Sequence, residues 1–236
     1  MYISQKELSS VVNVVDLIRD CDASKQSRQR LTRHLMRLCG ADYGASFSWD
    51  NTQGCYVDAA FENMAADNIE RYNQYFQYNN PLSKKVSHYR RAVAVSEVMP
   101  HKTLAKTEFF NDFLQRDGLT YGINLFVHSG NQQIFDFRIW RSKKRQDFQA
   151  KHLQLLDCLI PSLQQMSKNR ARRTNRVNVG LTPRENEVVD SISAGMCDKQ
   201  IAECLNISVT TLRTHLRKIY QKAKVHSRTE LISKLN

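Results

Sequence analysis

Apolar residues recur at helical spacing in the first two segments of the chain. Residues 5–20 place Leu8, Val11, Val12, Val15 and Ile18 on one expected helical face, and residues 24–39 do the same with Leu31, Leu35 and Leu38 before Gly40. The period then shortens. Tyr43–Trp49 and Cys55–Phe61 read as two strands joined across residues 50–54, a hairpin with a five-residue loop. Residues 65–79 predict a helix that stops at Asn80-Pro81, because a residue before proline is pushed out of the α region. Ala92–Val95 reads as a short strand and residues 104–116 as a helix ending near Gly118. Thr120–Val127 and Gln132–Trp140 form a second expected hairpin. A last helix over 147–166 carries Phe148, His152, Leu155, Leu156, Leu159, Leu163 and Met166 on one face, with Pro161 kinking or restarting it.

Two hairpins imply an antiparallel sheet, and helices before, between and after them imply a sheet covered on both sides. The expected class for residues 1–166 is therefore α/β, an α-β-α sandwich. By analogy of fold it resembles the sensor scaffolds of the PAS and GAF kind. Residues 167–180, SKNRARRTNRVNVG, hold five basic residues and no acid, with only valines to bury, and read as a basic linker.

Residues 181–236 read as an all-α unit of four helices. Thr182, Pro183 and Glu185 start the first as cap, first helical residue and capping-box acid, and Gly195 stops it. Asp198 is the expected cap of a short second helix that ends at Asn206. Ser208 caps the third, and Ser227 with Glu230 opens the fourth. In the third helix Val209, Leu212, Leu216, Ile219 and Ala223 form an apolar stripe. The other side shows Thr210, Arg213, Thr214, Arg217, Lys218, Gln221 and Lys222, and no acid lies between Ser208 and Lys224. Such a rod, apolar behind and basic in front, suits the major groove of double-stranded DNA. There arginine bonds guanine edges, and threonine meets a thymine methyl or a phosphate. A short helix and a tight turn before it make a helix-turn-helix.

Charge sharpens this reading. The chain has 236 residues and a net charge of +12; Ser167–Asn236 carries 14 basic and 6 acidic residues, two thirds of the excess. An anionic partner is implied. No apolar run is long enough to span a membrane and the first residues lack a signal peptide's apolar core, so a cytoplasmic protein without a membrane partner is expected. The six cysteines contain no C-x-x-C pair, which predicts reduced thiols, mostly packed as small apolar groups, and no metal. No G-x-S-x-G, H-E-x-x-H, P-loop or dinucleotide motif occurs, and His88, His101, His128 and His152 are scattered; neither an enzyme nor a cofactor is expected.

Residues 181–231 resemble the helix-turn-helix domain of LuxR-type transcription regulators. The chain matches that family's pattern at Leu181, Thr182, Arg184, Glu185, Glu187 and Val188. It matches again at Gly195, Lys199, Ile201, Ala202, Leu205, Ile207, Ser208, Thr211, His215, Lys222, Val225 and Arg228, with Arg213 standing for the family's lysine. The resemblance implies that Arg213, Thr214 and Arg217 face bases, and that Lys199, Thr211, Lys218 and Lys222 meet phosphates, with Thr210 at the helix start beside them. It also implies that the last helix helps form a homodimer. His215 is expected to pack within the domain.

The first domain resembles the family's autoinducer-binding unit. Tyr72, Tyr75, Phe76 and Tyr78 precede Asn80-Pro81, where lactone-binding members carry an aromatic-rich helix ending in Asp-Pro, and Gly118–Gly122 matches a later G-x-x-x-G. In that family the acid accepts a hydrogen bond from the ligand's amide. Asn80 is a weaker acceptor, and the strand near Val95 lacks the family's tryptophan, so acyl-homoserine lactone is disfavoured among small-molecule signals. Trp49, Tyr72, Phe76, Asn80 and Phe126 are the expected pocket residues. The expected function is a quorum-sensing-type regulator controlled by a small molecule or by a dimer rearrangement. The alternative is a ligand-independent regulator, or an anti-activator acting through heterodimers.

Overall fold

A computed structural model describes residues 4–19, 21–166, 179–193 and 195–235. The chain divides into two compact units, Met1–Ser167 and Lys168–Asn236. The expected linker lies outside the described residues except for Val179 and Gly180.

The first unit is an α-β-α sandwich. Its strands are β1 (Tyr43–Asp50), β2 (Cys55–Glu62), β3 (Val93–Ala94), β4 (Tyr121–Ser129) and β5 (Gln132–Arg141), all antiparallel in the order β2-β1-β5-β4-β3. Alternation along β5 explains both faces: Phe135, Phe137 and Ile139 turn to one layer, while Asp136, Arg138 and Trp140 turn to the other. The first layer is closed by α1 (Gln5–Arg19), α2 (Lys25–Cys39), α7 (Ala150–Asp157) and the helical residues 160–166. Ser24 caps α2 and Gly40 ends it in the left-handed conformation. A turn at Cys158-Leu159 separates α7 from the helix that Pro161 restarts.

The second layer departs from the expected helices. The segment 65–79 is α3 (Ala66–Arg71) followed by a π turn over Tyr72–Phe76. The segment 104–116 is split into α6 (His101–Leu104), a π turn over Phe109–Phe113 and a 3₁₀ turn over Leu114–Arg116. Tyr72 and Phe76, one turn apart, and Phe109, Phe110 and Phe113 all bury their rings in this layer, Tyr72 and Phe76 each against Phe113. The strand expected over Ala92–Val95 keeps only two residues, because Val95 opens α5 (Val95–Val98); α4 is Ser83–Val86. On α1 the expected stripe is partly displaced: Ile18 is buried and Val11 and Val15 pack against the core as expected, but Leu8 and Val12 are half exposed, and Val14 and Leu17 are buried.

The second unit holds α8 (Pro183–Ser193), α9 (Asp198–Cys204), α10 (Val209–Ala223) and α11 (Arg228–Leu235) around a core that includes Val188, Ile192, Ile201, Leu212, Ile219 and Leu231. Val209, expected in the buried stripe, is 37% exposed at the helix start. The cap of α9 is Cys197, one residue before the expected Asp198. None of the six cysteines is in a disulfide; Cys21, Cys39 and Cys55 are buried, but Cys158, Cys197 and Cys204 are exposed, so packing accounts for only half of them. No helix among the described residues is long and apolar enough to cross a membrane.

Candidate DNA-binding face and sensor cavity

In the first unit, the sheet and the aromatic layer enclose a cavity of about 30 Å³. Tyr72, Asn80 and Phe126 line it as expected. Phe76 does not; its ring lies against Phe113 and Phe109, centroids 5.5 and 6.1 Å away. Trp49 does not either, and lines a separate outer groove. A void of this size holds about one water, whereas small-molecule sites run to about 300 Å³ or more.

What fills the space is Arg138. Its Nε and Nη2 donate to Asp136 Oδ2 at 2.9 and 2.7 Å, and its Nη1 donates to the Tyr72 hydroxyl at 2.5 Å. The guanidinium lies 4.4, 4.6 and 4.9 Å from the ring centroids of Tyr56, Phe47 and Tyr72. Asp136 Oδ1 in turn accepts from the Phe47 N–H at 3.0 Å. Burial works to discharge Arg138, but Asp136 and the phenols outweigh it and hold it charged. Neither Asp136 nor Arg138 was expected at the site. The available signal was opposite charges two apart in an alternating strand, which places both on one face.

Asn80 Oδ1 already accepts from the Leu82 N–H at 2.9 Å, turning the chain into α4. Gly122 has its own reason: a Cβ there would lie 2.7 Å from the Trp140 ring, which covers the strand at that point. Gly118, by contrast, turns the chain at φ +78°.

In the second unit, the capping box that starts α8 is closed both ways: Thr182 N–H donates to Glu185 Oε2 at 2.8 Å, and Glu185 N–H to Thr182 Oγ1 at 3.3 Å. The turn from α9 to α10 passes through Asn206 at φ +51°, a conformation asparagine tolerates. Arg184 Nη2 ties this turn by donating to Leu205 O. Ser208 then caps α10, accepting from the Thr211 N–H at 3.0 Å, and its hydroxyl meets that of Thr211 at 2.8 Å. Arg228 joins Asp198 and Met196 O, fixing α11 to the start of α9.

Lys199, Thr210, Thr211, Arg213, Thr214, Arg217 and Lys218 are all exposed. The ion pairs described in this unit are Arg184–Glu187, Lys222–Glu185 and Arg228–Asp198, none of which involves Lys199, Arg213, Arg217 or Lys218. Lys222 is the exception: its Nζ donates to Glu185 Oε2 at 2.6 Å and to Gly180 O at 3.1 Å. Burial pushes the Glu185 carboxyl up, but Lys222 and Thr182 outweigh it and hold the group below its usual range. His215 is half-buried.

Residues 179–235 match the family described as bacterial regulatory proteins, luxR family. They form a LuxR-family helix-turn-helix domain. The monoamine regulon transcriptional regulator of Klebsiella aerogenes is 24% identical over 173 residues, 73% of this chain and 74% of that protein. Other curated relatives are covered over far less of their length, 29% of one and 6% of another. Among solved structures, Escherichia coli SdiA superposes with a TM-score of 0.51 at 14% identity, over 96% of this chain and 95% of that one. A GAF domain from an Acinetobacter phosphoenolpyruvate-protein phosphotransferase gives 0.54 at 14% identity, over 73% and 99%. These likenesses establish the fold: a GAF-like first unit joined to a LuxR-family second one. Within the LuxR-family domain, Lys222 takes part in the fold itself, a use that the matching pattern does not reveal.

Proposed function

We propose that this chain is a transcription regulator that binds double-stranded DNA as a homodimer through α10, under the control of its first domain. The observation that carries the reading is the front of α10. Arg213 and Arg217 stand one turn apart and exposed, Lys218 beside them, while Leu212, Leu216 and Ile219 anchor the back. Arginines so placed bond guanine edges, and Thr214 and Thr210 sit on the same front. Lys199 at the start of α9 and Thr211 at the start of α10 meet flanking phosphates. Lys222 joins them only by loosening its bond to Glu185. The relatives, a transcriptional regulator of Klebsiella aerogenes and the luxR family of regulatory proteins, agree with this and with a protein that is not an enzyme.

The test is selection of bound fragments from a random duplex pool with the full-length protein, followed by titration of the selected site across salt concentrations. The expected site is two-fold symmetric, with half-sites about 10 bp apart, and its affinity falls linearly in log–log salt. Failure to enrich any site, or binding indifferent to salt, overturns the reading.

Control by a quorum-sensing-type signal is the finer proposal. SdiA has been solved with octanoyl-rac-glycerol, which supports a small-molecule signal for this scaffold. The Arg138 side chain in the inner cavity, and Asn80 in place of an acid, speak against acyl-homoserine lactone there. The same filled cavity favours a second reading, a regulator that needs no ligand in that place and acts by dimer rearrangement or by heterodimers. Size-exclusion chromatography with light scattering separates them: a stable homodimer that shifts DNA without added ligand favours ligand independence, and an obligate heteromer favours the anti-activator.

A further inference from the structure

The β1–β2 turn, the β4–β5 turn and residues 77–90 line an open groove of about 480 Å³, which shares Tyr56 and Ser83 with the filled cavity. That volume falls within the range of small-molecule sites, about 300–1,000 Å³. Three of its walls are aromatic. Trp49 and Tyr56 meet edge to face with centroids 4.8 Å apart, and Tyr78 leaves 64% of its surface in solvent. A large ring left uncovered on the rim of a groove is a surface for another ring.

The remaining chemistry is basic or neutral. His88, Arg90 and His128 line the groove together, and no Asp or Glu does. Arg90 is exposed and belongs to none of the described ion pairs, whereas its neighbour Arg91 is bonded to Glu97 at 2.8 Å. The segment from Arg71 to Ser96 contains no acid at all, and it carries Lys84 and Lys85 besides three arginines. Burial first, and the Arg90 charge second, hold His128 below the usual imidazole range, so its ring, bonded to the backbone at Ser87 and Phe126, adds no second fixed charge. A cation would meet Arg90 with no carboxylate to offset it. An inorganic anion would leave the rings unused.

We propose that this groove binds a small aromatic carboxylate, its ring against Trp49 and Tyr78 and its carboxylate toward Arg90. The regulatory consequence rests on reading the first domain as a sensor; the binding itself does not.

Calorimetry of the full-length chain with 3-phenylpropanoate, 3-phenylpropanol and 3-phenylpropylammonium varies charge on one ring. The acid is expected to bind about five-fold tighter than the alcohol, and the cation weakest. Arg90→Ala should abolish the acid's advantage over the alcohol, and Tyr78→Ala should weaken both by about two- to five-fold. Both side chains are exposed, so melting temperatures should not change. Quenching of tryptophan fluorescence by the acid should disappear in Trp49→Phe, which keeps only Trp140. Absence of heat with the acid, a cation that binds as well as the acid, an Arg90→Ala variant with an unchanged acid-to-alcohol ratio, or quenching that persists through Trp140 in the inner cavity would each overturn the site. Binding of the acid with operator affinity unchanged would keep the site and remove only its regulatory role.

Discussion

In the first domain Arg28, Arg138 and Arg141 are buried and bonded, whereas in the second Arg213 and Arg217 stand in solvent outside every described ion pair. Arg28 reaches Ser46 O at 2.8 Å and Asp58 at 2.7 Å, bracing the bulge between β1 and β2, while Arg141 donates to Gly40 O and Cys39 O and lies 4.2 Å from the Phe148 ring. The same side chain thus braces the fold where it is buried and stands ready to meet a ligand where it is exposed. Desolvation makes the difference. A buried guanidinium must have its partners inside the fold, while an exposed one keeps its water until a phosphate or a base replaces it.

The sharpest way to break the comparison is to remove one arginine of each kind. Arg138→Ala leaves the fully buried Asp136, whose carboxyl burial already pushes above its usual range, without its ion-pair partner, and should cost about 3–5 kcal/mol of stability in chemical denaturation of the full chain. Adding Asp136→Asn to Arg138→Met should restore much of that, because both charges then leave together. Arg213→Ala or Arg217→Ala should instead leave the melting curve unchanged and weaken the selected site by about 1–3 kcal/mol. A stability loss in these two, or none in Arg138→Ala, would erase the distinction.

Gly122 lies in the same aromatic layer. Gly122→Ala should destabilise the first domain by about 1–3 kcal/mol, since the Trp140 ring must move from over the strand. Thermal unfolding measures it, and a variant as stable as the parent would show that the ring yields freely.

Lys222 sharpens the contrast within the second domain, because it is basic, on α10, and yet bonded. Lys222→Met should cost about 1 kcal/mol at neutral pH, a modest value since the lysine is partly exposed. The folded Glu185 carboxyl lies below its unfolded value, so the contribution is present at neutral pH and is lost as pH falls through the folded value. The variant's deficit should therefore vanish in acid. On DNA, Lys218→Ala should lower the salt slope by about one, while Lys222→Met should lower it less.

Both hairpins, the sandwich class and all four C-terminal helices were legible along the chain, because strand alternation, caps and turn residues are local signals. The box at Thr182 and Glu185 and the turn at Asn206 followed from residue type alone. The second aromatic layer was not legible in detail. Its helices break into π and 3₁₀ turns, and which of its phenylalanines and tyrosines are buried depends on partners brought from other segments. For the same reason Phe76 packs behind the cavity rather than at its wall, and Trp49 opens onto the outer groove.

By itself, then, the sequence determined which residues could be basic and exposed on α10, since helical period and the absence of acids do not depend on distant contacts. Only the tertiary structure decided which charges were already in use. Arg138 meets Asp136 beneath three rings and Lys222 meets Glu185 from another helix, and His88 and His128 come together at a groove. Such encounters depend on how separated segments pack, and the free energy of removing a charge from water then dictates whether it is bonded inside or left for a partner.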